Sequence, residues 1–454
     1  MHTNYPKSVK KIIEFVKDNN LWYSVTQNKG SADSCADAAN KRNRLGNYGI
    51  PLCDELKSSI GYYFLNGNKK YLLIHCRGNQ MRDDNKINSI LGSEYILLPN
   101  EELLNEFNCE YGLVNPFFFG LNCSEIEQIF DKSVLEDFFP PYTLMTNAGD
   151  KNWGIEIKPK ELVNVLKYAK VADIITDESK IIIRKHKIGI LTGNSPESGI
   201  FLWQKINETI RIRLGDDFLG DLSFPTVLVE SIPEMGLSME LDNRKNETWE
   251  IVEEGITALC KDGATIIGIA CNTTQYFSEK VREICKNHNA EFISMYDAVN
   301  SFLISKNIKH FDFLGIKYVT DFKTWSDYKK FKDDYTVEIP SLNNLEEIND
   351  IAFKVKQKVV TPEGINKLRD VIRKATKTKK IIIALTEISI LLATQKNTQR
   401  SDKHYIDTLT ILAEKIADRY LEDYSEMLIL NQRAIEENQE QNYNLNSTQA
   451  NIKR

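Results

Sequence analysis

No two of the eight cysteines (Cys35, Cys53, Cys76, Cys109, Cys123, Cys260, Cys271 and Cys285) stand in a C-x-x-C pair, and their spacing fits no disulfide framework. The six histidines are scattered, so nothing in the sequence calls for a zinc site or any other metal, and no cofactor is expected. No apolar run reaches membrane-spanning length, which argues against a membrane partner. The N-terminal stretch lacks the long apolar core of a targeting signal; Val9, Ile12, Ile13 and Val16 follow helical spacing instead. These absences predict a reduced, cytoplasmic protein. Nor is there an excess of positive charge: 58 Lys and Arg face 64 Asp and Glu, a net −6, which argues against bulk nucleic-acid binding but leaves room for a local basic groove. What is present is a globular composition, 42% hydrophobic and 27% charged, over 454 residues. That length exceeds one ordinary core and predicts two or three domains.

The stretch with the strongest chemistry is Ala264–Tyr276, ATIIGIACNTTQY. Residues Thr265 to Ile269 are β-branched or small and apolar, the composition of a strand buried on both faces. The strand runs out into Ala270-Cys271-Asn272-Thr273-Thr274-Gln275, and Ser278–Asn289 reads as the helix that follows. In an open parallel sheet, ligands bind outside the carboxyl ends of strands. A thiol between strand end and helix start feels the positive end of the helix dipole, which favours thiolate. Asn272, Thr273 and Thr274 add donors beside free backbone N–H groups, a cradle for a carboxylate. A buried structural cysteine in a turn is the alternative.

Two regions flank different patterns. Residues 1–178 read as mixed α+β. They hold a first helix, a helical patch at Ser34–Arg44 and a hairpin of Ser59–Leu65 and Lys70–His75 around Asn66-Gly67-Asn68. Helices at Ile87–Leu91 and Asn100–Glu106 enclose a short strand, Tyr95–Leu98. The loop Gly112–Gly120 and strands at Tyr142–Asn147 and Gly154–Ile157, turning at Ala148-Gly149-Asp150, lead to a helix from Pro159 through Glu161–Ile175. Residues 185–433 alternate strand and helix, which predicts a parallel sheet with helices on both faces. A late helix is expected at Ile406–Ala417. The Asn/Gln-rich 434–454 tail is expected to be frayed or disordered. Within the second region GATIIGIACNTT and TKKIIIALTEIS share one form, which predicts two pseudo-symmetric lobes whose strand ends face a shared cleft.

The second region resembles the aspartate/glutamate racemase superfamily that works without pyridoxal phosphate. Gly193–Gly199 loosely matches its glycine-rich loop, Ala270–Thr273 its Ala-Cys-Asn-Thr, Ala384–Glu387 its Gly-Cys-Thr-Glu, and Tyr405–Thr408 its Val-Ile-Asp-Thr. The resemblance implies two Rossmann-like α/β lobes, a free amino acid such as aspartate or glutamate as substrate, and Cys271 as the thiolate that takes the α-proton. It further implies Asn194, Ser195, Asn272, Thr273, Thr274, Thr386 and Glu387 around the substrate, where donors would stabilise the enolate-like charge. Thr386 and Glu387 serve equally as an ordinary helix N-cap pair. Some members form dimers, which leaves a homodimer open. Two departures stand out. Leu385 occupies the place of the second cysteine and can neither give nor take a proton. Met235 stands near where members acting on acidic substrates often carry an arginine, with Arg244 as a nearby substitute.

The first region resembles the YbaK and prolyl-tRNA-synthetase-editing type of aminoacyl-tRNA deacylase, through Leu56-Lys57-Ser58-Ser59 before the hairpin, Gly112-x-x-x-Pro116, and Asn147-Ala148-Gly149 followed by Ile157-x-Pro159-x-x-Leu162. It implies Lys57 as the catalytic ammonium that holds the ester, with Gly112 and Pro116 shaping the pocket, and aminoacyl-tRNA as the partner. Yet residues 1–160 carry 18 Lys and Arg against 20 Asp and Glu. Phosphate contacts would have to come from Lys41-Arg42-Arg44, Lys69-Lys70 or Arg77-Arg82. The leading expectation is a racemase-type enzyme fused to an editing-type deacylase. The rivals are a non-catalytic amino-acid sensor joined to an active deacylase, and a one-cysteine decarboxylase or isomerase.

Overall fold

In the first region the chain reverses tightly at Asn66-Gly67, where both residues take positive φ (51° and 79°), as a two-residue hairpin turn requires. The computed structural model describes residues 4–110, 112–117, 126–137, 141–180, 186–215, 218, 220–356, 370–393 and 404–422. They belong to two units, one built on Met1–Lys185 and one on His186–Glu422. The expected 434–454 tail, Cys123 and residues 118–120 of the Gly112–Gly120 loop lie outside the described residues.

The first unit carries strands β1 (Tyr23–Gln27), β2 (Asn43–Arg44), β3 (Asn47–Tyr48), β4 (Leu56–Leu65), β5 (Asn68–Arg77), β6 (Ile96–Leu97), β7 (Glu127–Asp131), β8 (Leu144–Asp150), β9 (Trp153–Ile157) and β10 (Ala169–Ala172). They form a five-stranded mixed sheet, β10-β7-β5-β4-β6, and a three-stranded antiparallel sheet, β1-β9-β8, beside the β2-β3 pair. The Lys7–Asp18 helix buries Val9, Ile12 and Val16 against Leu144, Ala148, Ile155 and Phe130. This is the mixed α+β organisation read from the sequence. Two local expectations are corrected. Ala148-Gly149-Asp150 is not the turn: it continues β8 with a bulge between Asn147 and Asp150, Gly149 taking φ 75°, and the chain reverses at Lys151-Asn152. The helix from Pro159 stops at Val165, because residues 169–172 pair in parallel with β7 rather than continue the helical spacing.

The second unit is a βαβ array with strands β11 (Lys187–Thr192), β12 (Thr226–Ser231), β13 (Ile266–Ile269), β14 (Glu291–Phe292), β15 (His310–Leu314), β16 (Thr336–Glu338), β17 (Lys380–Ile383) and β18 (His404–Asp407). Runs such as Ile266-Ile267 and Ile381-Ile382-Ile383 are fully buried, as strands covered on both faces must be. The strands make two sheets, β12-β11-β13-β14 and β16-β15-β17-β18, parallel throughout. Counted within each lobe, both follow the order second, first, third, fourth. The equivalence extends to single hydrogen bonds: Ala270 N donates to Leu191 O (2.9 Å) and Ala384 N to Leu314 O (2.7 Å), so both third strands leave their sheets alike. The late helix begins at residue 408, not at Ile406. Residues 404–407 pair with β17, and the Asp407 carboxylate caps the new helix by accepting from Leu409 N (3.2 Å) and Thr410 N (3.0 Å).

Candidate functional site

The residues just beyond β13 and β17 line one cleft in the second unit, about 410 Å³ with its mouth. Asn194, Cys271, Asn272, Thr273, Thr386 and Glu387 line it together with Met239, Ile316, Val319, Asn349, Ala384 and Leu385. Cys271 and Leu385 thus occupy matching places in the two lobes, each two residues past the end of its third strand. Ser195 and Thr274 are not among the lining residues. Ser195 precedes the Pro196–Leu214 helix, and its carbonyl accepts from Thr192 Oγ1 (3.1 Å). Thr274 Oγ1 and Gln275 Nε2 instead donate to the Cys271 carbonyl (3.3 and 3.2 Å), which fixes the loop that carries the thiol. That loop opens as a 3₁₀ turn, Thr273–Phe277, before the α-helix starts at Ser278.

Asn194 Nδ2 donates to Cys271 Sγ (3.1 Å) and to Ser238 Oγ (3.1 Å). That contact gives the sulfur a fixed hydrogen-bond partner at the edge of the cleft. Asn194 reaches it because Gly193 takes φ 143° and lies where a Cβ would come within 1.9 Å of the Ile232 carbonyl oxygen. Any side chain there would push Asn194 off the thiol.

Asn272 is pinned across the lobes. Its Oδ1 accepts from Tyr328 Oη (2.6 Å) and lies 3.2 Å from Thr408 Oγ1. Burial holds the Tyr328 phenol well above its usual pKa, so it remains a donor. With Oδ1 occupied from the second lobe, Asn272 Nδ2 is buried without a partner, and so is Asn349 Oδ1. An orphaned donor and an orphaned acceptor bordering one cleft match the carboxylate and ammonium of an amino acid. Tyr328, Asn349 and Met239 were not foreseen from the sequence, since periodicity reports burial and not partners. Arg244 does not line the cleft; it is half-buried and paired with Glu240 (3.0 Å) and Glu247 (2.8 Å). Lys317 is likewise no lining residue; it is exposed and paired with Asp242 (3.2 Å). No Lys or Arg stands among the described lining residues, and Glu387 is the one acid there.

The first unit holds a larger cavity, about 1300 Å³ with its mouth, lined among others by Arg42, Glu55, Lys57, Ser58, Gly112, Val114 and Asn147. Asn147 clasps the Gly112 loop: its Nδ2 donates to the carbonyls of Gly112 and Val114 (both 3.1 Å), and its Oδ1 accepts from Asn115 Nδ2 (2.8 Å). Pro116 is not a lining residue, but its carbonyl accepts from Gln128 Nε2 (3.2 Å). The Lys57 ammonium donates to the Gln80 carbonyl. Burial, with Glu55 nearby, pushes the Cys35 thiol in this cavity up to about 12, so it is no nucleophile at neutral pH. The basic patches are largely spent inside the fold. Arg42 is paired with Glu55, Arg44 with Asp54 and Glu156, and Arg77 is buried against the carbonyls of Cys53 and Ser133. Lys41, Lys69 and Arg82 pair with Asp37, Glu106 and Asp84.

Known structures of two kinds resemble this chain. One is an aspartate racemase homologue from Pyrococcus horikoshii, 23% identical, spanning 53% of this chain and 100% of its own, with a TM-score of 0.40. Beside it stands an aspartate racemase from Picrophilus torridus, 18% identical, over 52% of this chain and 94% of its own, TM-score 0.41. The other kind is a candidate trans-editing enzyme for prolyl-tRNA synthetase, 18% identical, over 38% of this chain and 99% of its own, TM-score 0.30. No protein-family model and no curated protein matches the sequence. Among the described residues no helix is long and apolar enough to cross a membrane, and no cluster of three His, Cys, Asp or Glu could hold a metal.

Proposed function

We propose that the second unit moves the α-proton of a free amino acid, with Cys271 as the base. The observation that carries this is the pairing of a thiol held under an amide N–H (Asn194 to Cys271, 3.1 Å) with the orphaned Asn272 Nδ2 beside it. In the proposed step Cys271 thiolate takes the proton from Cα, and the electron pair of the C–H bond passes into the carboxylate as an enolate. Asn272 Nδ2 donates to that carboxylate, and Asn349 Oδ1 accepts from the ammonium. Glu387, the one acid among the described lining residues, is the proposed proton donor to the opposite face of Cα; the proton it gives up is replaced from solvent, and Cys271 returns to solvent the one it took. Met239, Ile316, Val319 and Leu385 wall the cleft, and among the described lining residues no cation awaits a second carboxylate. The reading therefore favours an apolar side chain on the substrate over aspartate or glutamate.

The test follows loss of the Cα–H signal by NMR in heavy water, for L- and D-amino acids separately. Glu387→Gln should keep exchange with retention while lowering racemisation by about 10²-fold or more, and Leu385→Cys in the same background should restore part of it. Racemisation unchanged in Glu387→Gln would remove Glu387 from the mechanism. No exchange with any amino acid would favour the second reading, a binding domain. The observation behind that reading is the buried Leu385 at the place equivalent to Cys271.

For the first unit the proposed activity is hydrolysis of an amino-acid ester, with aminoacyl-tRNA as the proposed natural form. Lys57 would have to exchange the Gln80 carbonyl for the substrate ester. The buried arginines leave phosphate contacts to the exposed lysines.

A further inference from the structure

Ser58 and His75 face each other across the β4–β5 ladder, and their side chains are joined. His75 Nδ1 lies 2.8 Å from Ser58 Oγ, and His75 Nε2 lies 2.9 Å from Gln128 Oε1. The direction of this chain is set at its far end. The Pro116 carbonyl can only accept, so the amide nitrogen of Gln128 faces it (3.2 Å) and the amide oxygen faces His75. His75 Nε2 must then carry a hydrogen. The ring is fully buried, stacked on Phe130 (centroids 4.3 Å apart) with no charged partner, and burial lowers its pKa to about 3. A neutral ring with hydrogen on Nε2 has a lone pair on Nδ1, and Ser58 Oγ–H supplies that bond. The serine proton therefore points away from the cavity that Ser58 lines, and the oxygen keeps its lone pairs for a ligand.

This arrangement resembles a catalytic triad but cannot act as one. Taking the serine proton would create an imidazolium in a fully buried site with a neutral glutamine behind it. What it builds is a hydroxyl of fixed polarity. We propose that Ser58 is an acceptor that reads the protonated α-amine of an amino-acid ester in the cavity of the first unit, with His75 and Gln128 as positioning residues. The proposal rests on the ester reading of this unit. It explains why Pro116, though not a lining residue, bears on the pocket: its carbonyl orients the relay. Lys57 and Ser58, neighbours on one strand, leave the sheet on opposite faces, so the serine is not a support for the lysine.

The test uses aminoacyl-adenosine amides, which cannot be hydrolysed, carrying alanine, proline or leucine with the α-amine either free or acetylated. Calorimetric titration of the full chain should show the free amine preferred by about tenfold or more, the worth of a hydrogen bond to a charged group. Ser58→Ala should erase that preference and Ser58→Thr should keep it. In ¹⁵N spectra, with the His75→Gln variant to assign the signal, His75 should be the neutral Nε2–H tautomer at neutral pH. An Nδ1–H tautomer, a preference that survives in Ser58→Ala, or binding of neither form would overturn the proposal. Probes that bind wild type with the expected preference, while the matching esters go unhydrolysed, would sink the deacylase reading and leave the assignment of Ser58 standing.

Discussion

Cys271→Ala should lower α-proton exchange in the second unit by about 10²–10⁴-fold, the usual worth of a positioned general base. The loss should fall on kcat, because the residues proposed to bind the substrate ends, Asn272 and Asn349, are untouched. Stability should barely change. Thr274 and Gln275 hold the backbone of this loop through the Cys271 carbonyl, and the thiol contributes one amide hydrogen bond, from Asn194. A variant with wild-type melting and wild-type exchange would show that the thiol is not the base. Cys271→Ser separates the remaining cases: it keeps the shape and the Asn194 contact but replaces a thiol with a far weaker acid, so it too should be inactive. If serine retained activity, Asn194 and Asn272 would be acting on substrate without a thiolate base.

The largest effect on stability is expected in the first unit, at Arg42 and Glu55. Both side chains are almost fully buried, and Arg42 Nε donates to Glu55 Oε2 at 2.9 Å while Nη1 reaches Asn28 Oδ1 at 3.3 Å. Burial raises the Glu55 pKa, and Arg42 opposes that rise. Glu55→Gln leaves the guanidinium buried against a neutral amide, which should cost about 3–5 kcal/mol. Removing both charges, as Arg42→Met with Glu55→Leu, should recover most of that loss, since the pair itself roughly balances its own desolvation. Denaturant melts of the two variants decide it. A single variant as stable as wild type would mean that water enters the cavity and solvates Arg42. A double variant as unstable as the single one would mean that the ions also specify the local packing.

Much of the architecture was legible in the chain itself. The β-branched run before Cys271, the matching run before Leu385 and the alternation between them predicted two parallel lobes, and the topology repeats strand for strand. Asn66-Gly67 announced its hairpin because a tight β-hairpin turn demands residues that tolerate positive φ. These features are local or periodic, and local sterics and one-sided burial are what a sequence writes down plainly. The misread segments, 148–150, 169–172 and 406–407, are places where pairing with another strand outweighed local spacing.

The site was legible only in part. Cys271, Asn272 and Thr273 were visible because a reactive residue type stands at a strand end. That Tyr328 and Thr408, 56 and 136 residues further on, would occupy Asn272 Oδ1 and leave Nδ2 to the cleft could not be read from spacing. The same holds for Arg42, Arg44 and Arg77: the sequence shows three cations, and the fold turns them into buried partners for Glu55, Asp54 and backbone carbonyls. Sequence by itself determined the regular burial of apolar residues and the local turns and strand ends that such a pattern implies. Only the tertiary structure decided which polar atoms meet, because a hydrogen bond or ion pair depends on two groups that distant parts of the chain deliver to one point, and burial then makes each pairing costly to leave unmade.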